Sequence, residues 1–217
     1  MLAIDEALSV IVRLIERSQQ AGEPIDHTII VVGGTALSAH GIRNLSEGVD
    51  LYVQTFSDDV VFQVERELVE IYGPAFKIDV TATENLWGFI LLRDIEEHSP
   101  TYKMLEVAGQ TFTVKALSIE DLFLLEMNAG REKDRQDLPL IAARTTPEAL
   151  IQRFNVIVQW HGNKPALPGY ADELVRQLEI CYALEPKQVI SQLKLPKFVA
   201  SMLWETYYPI SDNDVMS

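Results

Sequence analysis

Apolar residues at Ile4, Ala7, Leu8, Ile11, Leu14 and Ile15 recur on one helical face, and Gly22 with Pro24 closes the run, so the pattern predicts a one-sided helix over 4–20. The period then shortens. HTIIVVGG is a β-branched run ended by two glycines, and TALSAHG after it has the length of a brief helix, which predicts strand, glycine turn, helix. GVDLYV reads as a second strand. Val60, Val61, Val64, Leu68 and Ile71 repeat at helical spacing between Ser57, a candidate N-cap, and Gly73 with Pro74. FKIDVTA is a third strand, and LWGFILLRD, TYKMLEVAG and TFTVKA are further β-like runs, the last two joined at Gly109 and Gln110 as a hairpin.

From Ser118 onward the pattern is helical. SIEDLFLLEMNAG starts with an S-x-x-D box, and REKDRQDLPLIAA continues it. TPEALIQRFNVIVQWHG, YADELVRQLEICYALEP and KQVISQLKLPKFVASMLWETYY predict three more helical stretches, with Pro196 kinking or splitting the last and HGNKPALPG as a linker. The expected architecture is α+β (α/β): a mixed sheet flanked by helices over 1–145, then a C-terminal α-helical region over 146–217. SDNDVMS reads as a frayed tail.

Composition narrows the function classes. The 217 residues are 47% hydrophobic and 23% charged, ordinary for a globular chain, and no stretch is apolar for long enough to span a bilayer. The N-terminal helical run carries acids, Asp5 and Glu6, in its first turn and has no basic leader, so a cytoplasmic protein is expected. The single Cys181, in LEICYAL, can form neither an internal disulfide nor a zinc cluster and reads as packing. His27, His40, His98 and His161 lack metal-ligand spacing, and no G-x-S-x-G or P-loop signature is present. A net charge of -14 disfavours tight binding to duplex DNA, because the short basic stretches Arg131–Arg135 and Lys187–Lys197 are diluted. A small anionic ligand chelated by a cation remains compatible with that charge.

Asp50 and Asp79 carry the candidate chemistry. Each sits inside an apolar strand, where an uncompensated carboxylate would cost on the order of several kcal/mol. Two such groups on neighbouring strands can share Mg2+, a hard cation that keeps water or phosphate oxygens in its other positions. The alternative is that each faces solvent or pairs with a basic residue. Gly33 and Gly34 leave backbone N–H groups open to an anion, or form only a tight turn. With Thr35 or Ser38 as hydroxyl donors, they outline a triphosphate cradle next to a metal.

GGTALSAHGIRNLSEGVDLYV resembles the signature of the DNA polymerase beta type nucleotidyltransferase superfamily: Gly-Gly or Gly-Ser, a helix, Arg, an Asp-x-Asp on the next strand and a third Asp on a later one. Gly33, Gly34 and Arg43 match the glycine turn and arginine, Asp50 the second Asp and Asp79 the third. ALSIEDLFLLEMNAGREKDRQDLPLI is similar to a segment of the minimal, toxin-related branch that includes abortive-infection nucleotidyltransferases, matching at Arg131, Lys133, Asp134 and Asp137. The likeness covers roughly residues 27 to 143. It departs at Gly48, where the pattern has its first metal-binding Asp, and at Glu126, where it has Lys. Glu47 points away from the face shared by 48 and 50 unless the chain is still turning there.

The resemblance implies transfer of a nucleoside monophosphate from an NTP to a hydroxyl on a protein, a tRNA end or a small molecule, within a toxin–antitoxin or phage-defence system. Asp50 and Asp79 would hold Mg2+ or Mn2+, with Glu47 or Glu126 supplying a substitute oxygen. Gly33, Gly34, Thr35, Ser38, Arg43 and Arg131 would bind the nucleotide, and Lys133 or Arg131 would offset developing charge. A two-metal mechanism needs ions about 4 Å apart held by bridging carboxylates, so losing one ligand weakens a metal site. The alternative is a catalytically silent fold serving as a binding or regulatory module, with a protein partner on the apolar C-terminal helices. There Trp160, Trp204, Tyr207 and Tyr208 are either core or partner-facing. A chance match on an α/β structural domain is the third reading. Gly48 itself is read as a vacated ligand position, the competing reading being a turn residue held at positive φ.

Overall fold

The computed structural model describes residues 1–81, 94–129, 132–161 and 164–209. Apart from Asp94, the run LWGFILLRD lies outside the described residues, as does SDNDVMS. The described residues up to 122 form one compact unit and those from 123 onward a second.

The first unit contains α1 (Ile4–Ala21), β1 (Thr28–Val31), α2 (Gly33–Ala39), β2 (Val49–Tyr52), α3 (Asp58–Tyr72), β3 (Ile78–Thr81), α4 (Ile95–His98), β4 (Thr101–Val107) and β5 (Gln110–Ala116). Its sheet is mixed, as expected, in the order β3-β2-β1-β5-β4. β1 runs parallel to β5 and β2 parallel to β3, while β1–β2 and β4–β5 are antiparallel.

The strand pairings place Ile29, Val31, Val49, Leu51, Ile78, Phe112, Val114 and Ala116 on one face, all buried. With Leu8, Ile11, Leu14 and Ile15 of α1 and Val60 and Val64 of α3, they make the core. Because paired residues share a face and neighbours in a strand alternate, the opposite face carries Ile30, Asp50, Tyr52, Asp79, Thr81, Thr113 and Lys115. At the rim of the α1–α3 packing, Arg13 and Arg17 both reach Glu67, at 3.2 and 2.6 Å.

Local chemistry sets the ends of these elements. Ser57 caps α3 by accepting from the Val60 N–H at 3.3 Å, as its position suggests. Only Val60 and Val64 of that helix are buried, however, and Ile71 is 70% exposed. The glycines expected ahead of α2 are its first two residues, after Val32 as N-cap. The β4–β5 turn is Ala108-Gly109, with φ of 48° and 78°, one residue earlier than expected. Two left-handed residues in a two-residue loop match the twist of the strands, so Ala108 takes the strained place and Gln110 joins β5.

The helix α5 (Ile119–Ala129) opens with Ser118 accepting from the Asp121 N–H at 3.1 Å, the first half of the anticipated box. The second unit continues through α6 (Glu132–Ala142), α7 (Pro147–His161), α8 (Leu167–Tyr182), α9 (Pro186–Gln192) and α10 (Lys197–Tyr207). Pro196 does split the last stretch and stands as the N-cap of α10. Asn155, buried in α7, holds the α9–α10 connection by donating to the Gln192 carbonyl at 3.0 Å and accepting from the Lys194 N–H at 2.7 Å.

The aromatic residues of the C-terminal helices differ in exposure, with Tyr207 and Trp204 half-buried. Tyr207 donates to Asp172 on α8 at 3.0 Å, and Asp172 also accepts from Arg176 at 2.9 Å. Trp160 is 57% exposed and Tyr208 is exposed too, stacked at a tilt on Trp204. Among the described residues no helix is long and apolar enough to cross a membrane.

Burial, with the Asp172 carboxylate beside it, pushes the Tyr207 phenol up from 10.0 to about 12. The folded state therefore holds that proton after the unfolded chain has released it. The contribution is fully present below pH 10 and is lost as pH rises toward about 12. Urea unfolding across this window is expected to show a steeper fall in stability for the native chain than for Tyr207→Phe; parallel curves would contradict the assignment.

Candidate functional site

The parallel β2–β3 pairing sets Val49 opposite Ile78 and Asp50 opposite Asp79. Residues paired this way project to the same side, and neighbouring strands lie roughly 4.8 Å apart, so two carboxylates emerge close together at the β3 edge of the sheet. Asp50 is half-buried and Asp79 exposed. The hydrophobic flanks Val49, Leu51 and Ile78 anchor the strands from the opposite face, which keeps both acids on the polar side.

The glycine bend lies against the first of these acids. A Cβ on Gly33 would stand 3.0 Å from Asp50 Oδ2, and φ there is +48°. On Gly34 it would stand 2.9 Å from Ser46 Oγ and 3.5 Å from Asp50 Oδ2. Side chains at either position would displace the carboxylate or Ser46, and the left-handed φ adds a second requirement at Gly33. Gly33, Gly34, Asp50 and Asp79 thus form one contiguous arrangement: a bend with open backbone, a carboxylate beside it and a second carboxylate one strand further out. Two adjacent carboxylates suit a hard divalent cation, and backbone without side chains suits close approach by an anion.

The two expected hydroxyl donors are both buried on α2. Thr35 is fully buried and its oxygen belongs to the backbone of β2, accepting from the Asp50 N–H at 2.9 Å and donating to the Gly48 carbonyl at 3.4 Å. It props the strand peptide that carries Asp50. Ser38 is buried one helical turn beyond Gly34. Arg43 is half-buried in the connection between α2 and β2, where its N–H donates to the Leu37 carbonyl at 3.3 Å. Glu47 is exposed in the bend before Val49, outside the strand, so strand alternation does not fix its direction. Arg131 and the Lys133 and Asp134 side chains lie outside the described residues. Glu126 and Asp137 are buried charged residues of the second unit, on α5 and α6.

Gly48 follows neither sequence-based reading. Its φ is not among the positive values, so no left-handed turn requires glycine. Nor is there an open place for a ligand, because a Cβ built there would overlap the Lys77 carbonyl oxygen, which accepts from the Val49 N–H at 3.0 Å. Close backbone approach demands the glycine. Among the described residues, no three acidic, histidine or cysteine side chains gather in a way that could hold a metal ion, so the arrangement is a carboxylate pair.

Other contributors went unread in the sequence. Ser46 fills the space under Gly34, and its backbone exchanges hydrogen bonds with Leu2 at 2.7 and 2.8 Å. His40, at the end of α2, donates from Nε2 to the Leu117 carbonyl at 2.7 Å. In the second unit, a cleft of about 390 Å3 lined in part by Asn128, Arg135, Tyr170 and Glu173 includes none of the strand carboxylates. Compared with protein-family models and with curated proteins, the chain matches none.

Since the space beside Gly48 Cα is filled by main chain and not by a flexible side chain, both Gly48→Ala and Gly48→Asp are expected to lower stability by about 1–3 kcal/mol in urea titrations. Native stability in Gly48→Ala would show that the segment around Lys77 gives way freely.

Proposed function

We propose that this chain is a nucleotidyltransferase-like protein that binds a nucleoside triphosphate through one divalent cation, Mg2+ or Mn2+, as a catalytically silent binding or regulatory module. The supporting observation is the register that sets Asp50 opposite Asp79, with Gly33 and Gly34 against Asp50. Asp50 and Asp79 would hold the cation, which supplies charge neutralisation for the triphosphate. Gly33 and Gly34 leave backbone accessible to the phosphates. The silent reading is favoured because residue 48 has no room for the missing carboxylate, and a two-metal reaction depends on bridging acids.

A second reading rests on Glu47. Exposed in the bend outside β2, it would supply a third oxygen, and the protein would then move a nucleoside monophosphate onto a hydroxyl. In that reaction the hydroxyl oxygen bonds to the α-phosphorus, the bond to pyrophosphate breaks and the hydroxyl proton leaves to solvent or a base. The likeness to the toxin-related branch supports a role in toxin–antitoxin or phage-defence systems in the cytoplasm. The exposed Trp160 and Tyr208 support a protein partner on the C-terminal helices.

Thermal unfolding with each NTP and Mn2+ tests the binding reading, since a ligand that binds only the native state raises the melting temperature. The expected result is a rise that needs both components and disappears in Asp50→Asn and Asp79→Asn. An equal rise in those variants, or none in the native chain, would overturn it. Transfer from an α-labelled NTP that is abolished by Glu47→Gln would replace the silent reading with the catalytic one.

A further inference from the structure

Asp50 lies where the regular ladder between β1 and β2 has run out. The last ladder partner is the Val32 N–H, which donates to the Asp50 carbonyl at 2.9 Å. In an antiparallel pair the Asp50 N–H would return to the Val32 carbonyl. That carbonyl instead accepts from the Ala36 N–H at 3.0 Å, the first bond of α2. A buried N–H without an acceptor is costly, and here Thr35 supplies one at 2.9 Å.

We infer that Thr35 is a positioning residue: its hydroxyl replaces the lost ladder acceptor and thereby fixes the Asp50 carboxylate against Gly33, a role resting on the nucleotide-binding reading only for its consequence in binding. One short helix does both jobs. Gly33 at its start receives the carboxylate, and Thr35, two residues on, grips the peptide that carries it. The same hydroxyl donates to the Gly48 carbonyl at 3.4 Å, while the Lys77 carbonyl presses on Gly48 and accepts from Val49. The segment 48–50 is therefore held from α2 on one side and from the approach to β3 on the other. Serine can do this; valine, of the same shape, cannot.

Two readouts test the inference. Amide exchange followed by NMR is expected to accelerate at Asp50 by about tenfold in Thr35→Val relative to the Val49 and Val32 amides, and to stay near native in Thr35→Ser. Calorimetric titration with Mn2+ and ATP is expected to show binding weakened by about tenfold in Thr35→Val and restored in Thr35→Ser. Ile15→Val, in the core of α1, serves as a control that lowers the melting temperature without moving either readout. Asp50 protection unchanged in Thr35→Val, or exchange rising equally at Asp50, Val49 and Val32, would overturn the role. So would unweakened ATP binding in that variant when the native chain binds. If the native chain binds nothing, the nucleotide reading fails and the Asp50 exchange pattern alone decides the role of Thr35.

Discussion

The site depends on a pairing that places two like charges side by side. Carboxylates at directly opposed positions repel, so a cross-strand pair of this kind is destabilising. The first unit carries that term because the opposite face of the same two strands buries Val49, Leu51 and Ile78. A one-residue slip of β3 against β2 would turn Asp79 toward the core, so apolar packing on one face fixes the acids on the other. The repulsion is what a bound cation would relieve.

Around that pair the backbone is crowded to an unusual degree. Gly33, Gly34 and Gly48 each stand where a Cβ would meet a named neighbour closely, and the neighbours differ in kind: a carboxylate, a serine hydroxyl and a peptide carbonyl. The first two define a surface that side chains must leave open for Asp50 to keep its place. The third welds β2 to the approach of β3 and closes the position that the resemblance assigns to another acid. Glycines that look alike in the sequence thus have opposite meanings for a ligand.

Much of this architecture was legible in the residues. The period of Ile4–Ile15, the β-branched run before Gly33 and Pro196 in the last helical stretch located elements, because periodicity and proline chemistry are local. Coverage is not local. Val61, Leu68 and Ile71 follow the helical period of α3, yet burial of that helix is confined to Val60 and Val64, since the period says nothing about how much of a face is covered. The strand positions of Asp50 and Asp79 were readable, whereas their register depends on pairing between separate segments. A hydroxyl after two glycines carries no mark of the strand peptide that Thr35 serves, so that contact is invisible in the residues alone. The close approach at Gly48 is likewise invisible, because the Lys77 carbonyl that excludes a side chain is distant in sequence. The Ala108-Gly109 turn was misplaced by one residue because alanine gives no hint of a left-handed φ.

The Leu2 backbone, bonded in both directions to Ser46, ties the residues ahead of α1 to the loop that delivers Asp50. Met1 is open to solvent, while Leu2 is fully enclosed. Any substitution that strains the Leu2–Ser46 bridge is therefore felt at the frame of the carboxylate pair.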